Sequence, residues 1–232
     1  MKSEPEFLGA AIVFVGDFNP AIFQPAWLAA NELITKVEAD NADIQVIHPD
    51  ISMFAVDWAR IRVEKNKFSA EVNEQPYIRL QDFVVKTFGE FLPQTPVKQA
   101  GVNFSAHIHI PSLEGMEKIG RTLAPIEPWG PMAPLMDKFP IGEKGHGGLR
   151  SLKMQMPRED NDFSGNRFVT VEPSSRIKQG VFVQVNDHYE LADDPDRLGC
   201  EDILRIVRQV FEPSMQYAEN IVDHVAALGM DG

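Results

Sequence analysis

The segment GVNFSAHIHIP (residues 101–111) sets two histidines two residues apart in a stretch that reads as β-strand. Side chains alternate faces along a strand. His107 and His109 therefore share one side with Asn103 and Ser105, while Phe104, Ala106, Ile108 and Ile110 share the other. Two imidazoles at that spacing can reach one transition metal, and His146, in the glycine-rich run GEKGHGG (142–148), would supply a third ligand. Zinc sites need three or four such ligands with oriented groups behind them. The chain has a single cysteine and no His-Glu-x-x-His motif. The favoured expectation is therefore a polar strand face turned to solvent or to an interface, with no cofactor. A metal-dependent enzyme using His107, His109 and His146 is the minor alternative.

Other chemical signals are weaker still. GEKGHGG lacks the spacing of a phosphate-binding loop and precedes a strand pattern rather than a helix. Cys200 follows Gly199 at a helix start, where the backbone lowers a thiol pKa. The adjoining Glu201 and Asp202 oppose that effect. No Gly-x-Ser-x-Gly occurs, and Ser174-Ser175 reads as a turn. No residue is assigned a catalytic role, and a non-enzymatic function is the preferred reading.

The elements that must position these groups follow from periodicity. LGAAIVFVGDF reads as a buried strand and PAWLAANELITKVEA as a helix behind Pro25. IQVIHPDISMFAVDWARIRVEKNKFSAEVN reads as three or four antiparallel strands, and Leu80, Phe83, Val84, Phe88 and Phe91 fall at helical steps of three and four. The order then recurs. TPVKQAGVNFSAHIHIP is a strand and SLEGMEKIGRTLA a helix. Three strands follow within 149–191, and a long helical pattern carries Pro213. The expected fold is α+β. Two similar β-α-β(3-4)-α units, 1–94 and 95–232, share an antiparallel sheet in one compact body, like the TATA-binding-protein and helix-grip folds.

The second unit holds a long Pro- and Gly-rich insertion, 123–149, whose composition argues against regular structure. Its Trp129, Met132, Leu135, Met136 and Phe139 are too apolar for a plain linker. They are the candidate partner-binding residues, with Trp129 as the expected hot spot.

Composition bounds the function. With 232 residues, 44% hydrophobic and 24% charged, the chain can bury an ordinary core. A net charge of -12 argues against duplex nucleic acid and anionic membranes as partners. The stretch NDHYELADDPD is the most acidic and reads as a solvated loop. One cysteine fits a reducing compartment, and the N-terminal apolar run is too short for a signal peptide or a spanning helix. Cytoplasm is the expected location.

The segment PYIRLQDFVVKTFGEFLPQTPVKQAGVN, with GDFNPAIFQPAW and HPDISMF before it, resembles a sporadically distributed, uncharacterised family of bacterial proteins. The resemblance covers most of the chain and implies a bacterial protein; it carries no activity and no catalytic residue. Three function classes remain. The leading one is a non-catalytic binding or assembly protein that contacts a protein partner or a second copy of itself. The alternatives are a small-molecule binder with a cavity between a curved sheet and the C-terminal helix, and the histidine-based metalloenzyme above.

Overall fold

The computed structural model describes residues 5–136, 147–160, 163–191 and 199–230. Its centre is one nine-stranded antiparallel sheet. The strands are β1 (Phe7–Gly16), β2 (Asp43–His48), β3 (Ile51–Ala55), β4 (Arg60–Glu64), β5 (Lys67–Val72), β6 (Val97–His109), β7 (Leu152–Asp160), β8 (Phe163–Pro173) and β9 (Gly180–Glu190). Across the sheet they run β2-β3-β4-β5-β1-β6-β9-β8-β7. The first strand of each half of the chain, β1 and β6, lies at the centre, and the rest of each half extends outward from it. Of the three or four strands expected between 43 and 72 four are present, and all three expected between 149 and 191 are present.

The helices are α1 (Pro25–Ala30), α2 (Lys36–Asp40), α3 (Ile78–Lys86), α4 (Leu113–Leu123), α5 (Ala133–Met136) and α6 (Glu201–Met230). Strand parity dictates which side of the sheet receives them. Ala10, Ile12 and Phe14 of β1, Val102, Phe104 and Ala106 of β6, and Val181, Val183 and Val185 of β9 are all buried on one side. Helix α6 packs on β6 and β9, α3 on β1 and β5, and α4 lies against α6. A side chain at Gly115 of α4 would collide with the Gly229 carbonyl of α6, so that crossing needs glycine. The amphipathic pattern of α3 largely holds: Leu80, Phe83, Val84 and Phe88 are buried, the last in a π-helical turn, Thr87–Phe91, whose Phe91 is half-buried. Phe14, Phe18, Phe23, Phe68 and Phe88 form one aromatic cluster under β1 and β5.

Three expectations need correction. The single helix expected in PAWLAANELITKVEA is two. Glu32 adopts φ 54°, which ends α1, and Thr35 restarts the chain as α2. The Thr35 hydroxyl accepts from the Glu38 N–H at 3.1 Å, and the Glu38 carboxylate accepts from the Thr35 N–H at 2.7 Å. This reciprocal cap is written in the sequence as TKVE. The insertion is also not wholly irregular, since Glu127–Met132 forms 3-10 turns and Ala133–Met136 a turn of α-helix. Pro128 and Pro134 sit in first turns, where the missing N–H costs nothing. Lastly, the strand and acidic-loop readings overlap at Asn186–Glu190, and there the strand holds and the loop does not; residues 192–198 lie outside the described residues.

Asp187 has the parity of Val183 and Val185 and points into the helix-bearing side, fully buried. Its carboxylate bridges two buried guanidiniums. It accepts from Arg167 Nη2 at 2.7 Å, pairs with Arg167 Nε, and pairs with Arg158. Arg158 Nη1 also donates to the Ser214 hydroxyl of α6 at 2.6 Å, and the Arg167 guanidinium lies 3.5 Å from the Tyr217 ring centre. Burial, and then the neighbouring Arg158, hold the Arg167 pKa below its ordinary value. The cluster ties β7, β8 and β9 to the long helix.

Candidate functional site

The opposite side of the sheet carries the other parity. Across its centre the bare side is floored by small residues, Gly9, Ala11 and Val13 of β1 against Ser105, Asn103 and Gly101 of β6. Toward β3 and β4 it becomes charged, with Arg60, Arg62 and Glu64 facing Glu71, Ser69 and Lys67 of β5.

Three cavities open along this side and the adjoining strand ends. One of about 320 Å³ is lined by Phe7, Ser105, His107, Glu172, Arg176 and Phe182. A second, of about 470 Å³, lies between the β3–β4 turn and the segment after β5, with Trp58, Asn73 and Arg79 among its walls. The third, of about 630 Å³, is bounded by Gln45, Met53, Arg60 and Arg62. Glu71 lines all three, and Asn73 is shared by the first two. They form a groove crossing from β8 to β2, with a carboxylate at its middle and guanidiniums at either end. The space between the sheet and α6, by contrast, is filled by Val183, Val185, Val207 and Phe211, all buried.

His107 closes one end of the groove, and here the expectation of a solvent-facing imidazole fails. The residue is only 8% exposed. Phe182, its cross-strand partner on β9, stacks at 4.7 Å between ring centres, and Phe7, its partner on β1, meets it edge-on at 6.2 Å. Long neighbours on both sides bury a residue that alternation alone assigns to water. The Arg176 guanidinium lies 5.5 Å from the Phe7 ring. Burial, with Arg176 adding, holds the His107 pKa below its usual value.

The His107 Nδ1 lies 2.8 Å from the Ser174 hydroxyl. That pair has the look of a nucleophile and its base, but the oxygen is already engaged. Ser174 Oγ accepts from the N–H of Arg176 at 3.1 Å and of Ile177 at 2.9 Å. With both lone pairs occupied, the hydroxyl donates its proton to Nδ1 and leaves the ring proton on Nε2. Ser174 thus caps the turn it was expected to occupy and pins it to β6. It has no lone pair with which to attack a substrate.

The metal candidates separate. His109 is exposed at the end of β6, His107 has its Nδ1 committed, and His146 lies outside the described residues. Among the described residues no three His, Cys, Asp or Glu side chains converge as ligands. Cys200 is buried and its thiol is pushed up to about 11, chiefly by burial, so the helix start does not activate it. Of the insertion's apolar residues, Trp129, Met132 and Leu135 are each more than half exposed and Met136 is half-buried; Phe139 lies outside the described residues. Glu71, Asn73 and Arg176 were not singled out from the sequence. Strand parity in FSAEVN places Glu71 beside Ser69 on the bare side, and that was the available signal. Among the described residues no helix is long and apolar enough to cross a membrane. No family model matches the chain, and no curated protein matches it in sequence.

Proposed function

We propose that this chain is a non-catalytic binding protein that acts through protein–protein contacts, and that its partner lies along the groove on the bare side of the sheet. The observation that carries the reading is the continuity of that groove through Glu71. Its walls alternate guanidinium, carboxylate and amide groups, which suit the mixed donors and acceptors of a polypeptide rather than a uniformly charged ligand. A sheet of nine strands with helices on one side leaves its other side available to a partner. The engaged lone pairs of Ser174 favour binding over hydrolysis. Exposed Trp129, Met132 and Leu135 support a second, apolar contact from the insertion. The repeated order of elements and the central β1–β6 pair support an internal duplication of TATA-binding-protein-like or helix-grip type, with each half supplying part of the groove.

A second reading is favoured by one observation. The cavity of about 320 Å³ at His107 has the size of a small-ligand site and presents an imidazole N–H beside Arg176. Quantitative mass spectrometry of material co-purified from the native host separates the two. Ser69→Trp fills the cavity bounded by Arg60 and Arg62, and Ser105→Trp the His107 end of the groove. Loss of a protein partner in both variants supports the first reading. An unchanged set of proteins with loss of a bound small molecule in Ser105→Trp alone supports the second.

A further inference from the structure

The sheet ends in two edge strands, β2 and β7. Edge strands expose unpaired backbone groups, and proteins blunt them with proline and lysine. Strand β7 carries both, as Lys153 and Pro157. Strand β2 carries neither. It does carry a register shift between Ile44 and Val46, and the consequence is unusual. Ile44 pairs with Phe54 and Ile47 with Ser52, and both of those partners are buried on the helix-bearing side. The bulge therefore turns both isoleucines to that same side. Although they continue the apolar side of the sheet, they are 54% and 37% exposed, and Val37 of the neighbouring α2 is exposed as well. Asp43 and His48 pair with Ala55 and Ile51 and so share the bare side.

We propose that β2 pairs antiparallel with β2 of a second copy of this chain, about a two-fold axis through the strand edge. The strand is self-complementary on both of its sides. The register that sets Ile44 opposite the other copy's Ile47 also sets Asp43 opposite its His48, and the symmetry repeats each contact. The His48 Nδ1 accepts from the Asp50 N–H at 3.2 Å, which leaves its ring proton on Nε2, free to meet the facing carboxylate. Aligned isoleucines on one side and acid–imidazole pairs on the other are the cross-strand contacts that stabilise a sheet. The pairing stands apart from the identity of any partner in the groove, although Gln45 of β2 lines the groove's end and the two grooves of the dimer meet there.

Light scattering on the full chain, over a wide range of concentration, tests the pairing. The expected mass is twice 26.0 kDa. Ile47→Lys and Ile44→Lys each give a monomer with unchanged circular dichroism and melting, whereas Met154→Lys on the β7 edge leaves the dimer intact. Asp43→Lys and His48→Glu each weaken the dimer by about tenfold, since the first sets two donors face to face and the second two carboxylates, each twice by symmetry. Mixing these two variants restores association, because the heterodimer sets lysine against glutamate at one end and Asp43 against His48 at the other. A mass of 26.0 kDa at every concentration overturns the proposal. So does a dimer that survives both isoleucine substitutions, or one that Met154→Lys disrupts.

Discussion

Replacing Asp187 by alanine removes the carboxylate that bridges two buried guanidiniums, and the cost follows from what remains. Arg158 and Arg167 are each 7% exposed, and Asp187 is 0% exposed. Breaking a buried ion pair by deleting one partner costs about 3–5 kcal/mol, because the surviving charge stays desolvated. Here the deletion breaks the contacts of both arginines with one carboxylate. Arg158 keeps its bond to Ser214 and Arg167 its place on the Tyr217 ring, which hold the loss near that range rather than doubling it. Total stability of a domain is about 5–15 kcal/mol, so the variant should fold but unfold at much lower denaturant. Arg167→Met breaks only one of the two pairs and leaves Arg158 against Asp187, so it costs less. Urea unfolding followed by circular dichroism, with unchanged slope, measures both. An Asp187→Ala variant within about 0.5 kcal/mol of the parent is what a solvated acidic residue gives, and it would refute the reasoning.

His107→Ala should cost about 1–3 kcal/mol through the lost hydrogen bond to Ser174 and the gap between Phe7 and Phe182; a change within about 0.5 kcal/mol in the same urea assay would return the histidine to the surface. Because the folded His107 pKa lies below 6.5, the unfolded chain takes up its proton first as the pH falls. Its contribution is full above 6.5 and is lost as the pH drops through the depressed folded value, a slope that His107→Gln should flatten. Burial pushes the Glu38 carboxyl up, but the Thr35 backbone N–H, Arg79 and the Thr35 hydroxyl together hold it below 4.5. Its contribution is present above 4.5 and lost as the pH falls through the lowered value, so Glu38→Gln should reduce the acid sensitivity that sets in as the pH drops below 4.5. Cys200, buried with a thiol near 11, should resist a disulfide-exchange reagent at pH 8 until the chain unfolds, and rapid labelling of the native protein would contradict its placement.

Much of the architecture is legible in single residues. Phe104, Ala106 and Ile108 give away the inner side of β6, and Leu80, Phe83 and Val84 give away the apolar stripe of α3. What parity alone does not supply is the size of the neighbours. His107 is on the bare side as expected, yet Phe7 and Phe182 arrive from strands 100 and 75 residues away in the chain and bury it. Asp187 shows the reverse failure. In GVFVQVNDHYEL its inward parity is plain, but a local excess of acid suggests a loop, and the arginines that make its burial tolerable come from β7 and β8. The groove is less legible still, because Glu71 gains its meaning only from strand order, when β5 lies beside β1 rather than beside a later strand.

The central claim is that a partner protein lies on the bare side of the sheet. A photo-crosslinking amino acid placed at Glu71, in the middle of the groove, and separately at Glu212, exposed on α6, tests it in the native host. The account predicts a discrete protein adduct from position 71 and none from position 212. Adducts from position 212 alone, or from position 71 no more than from 212, would contradict it.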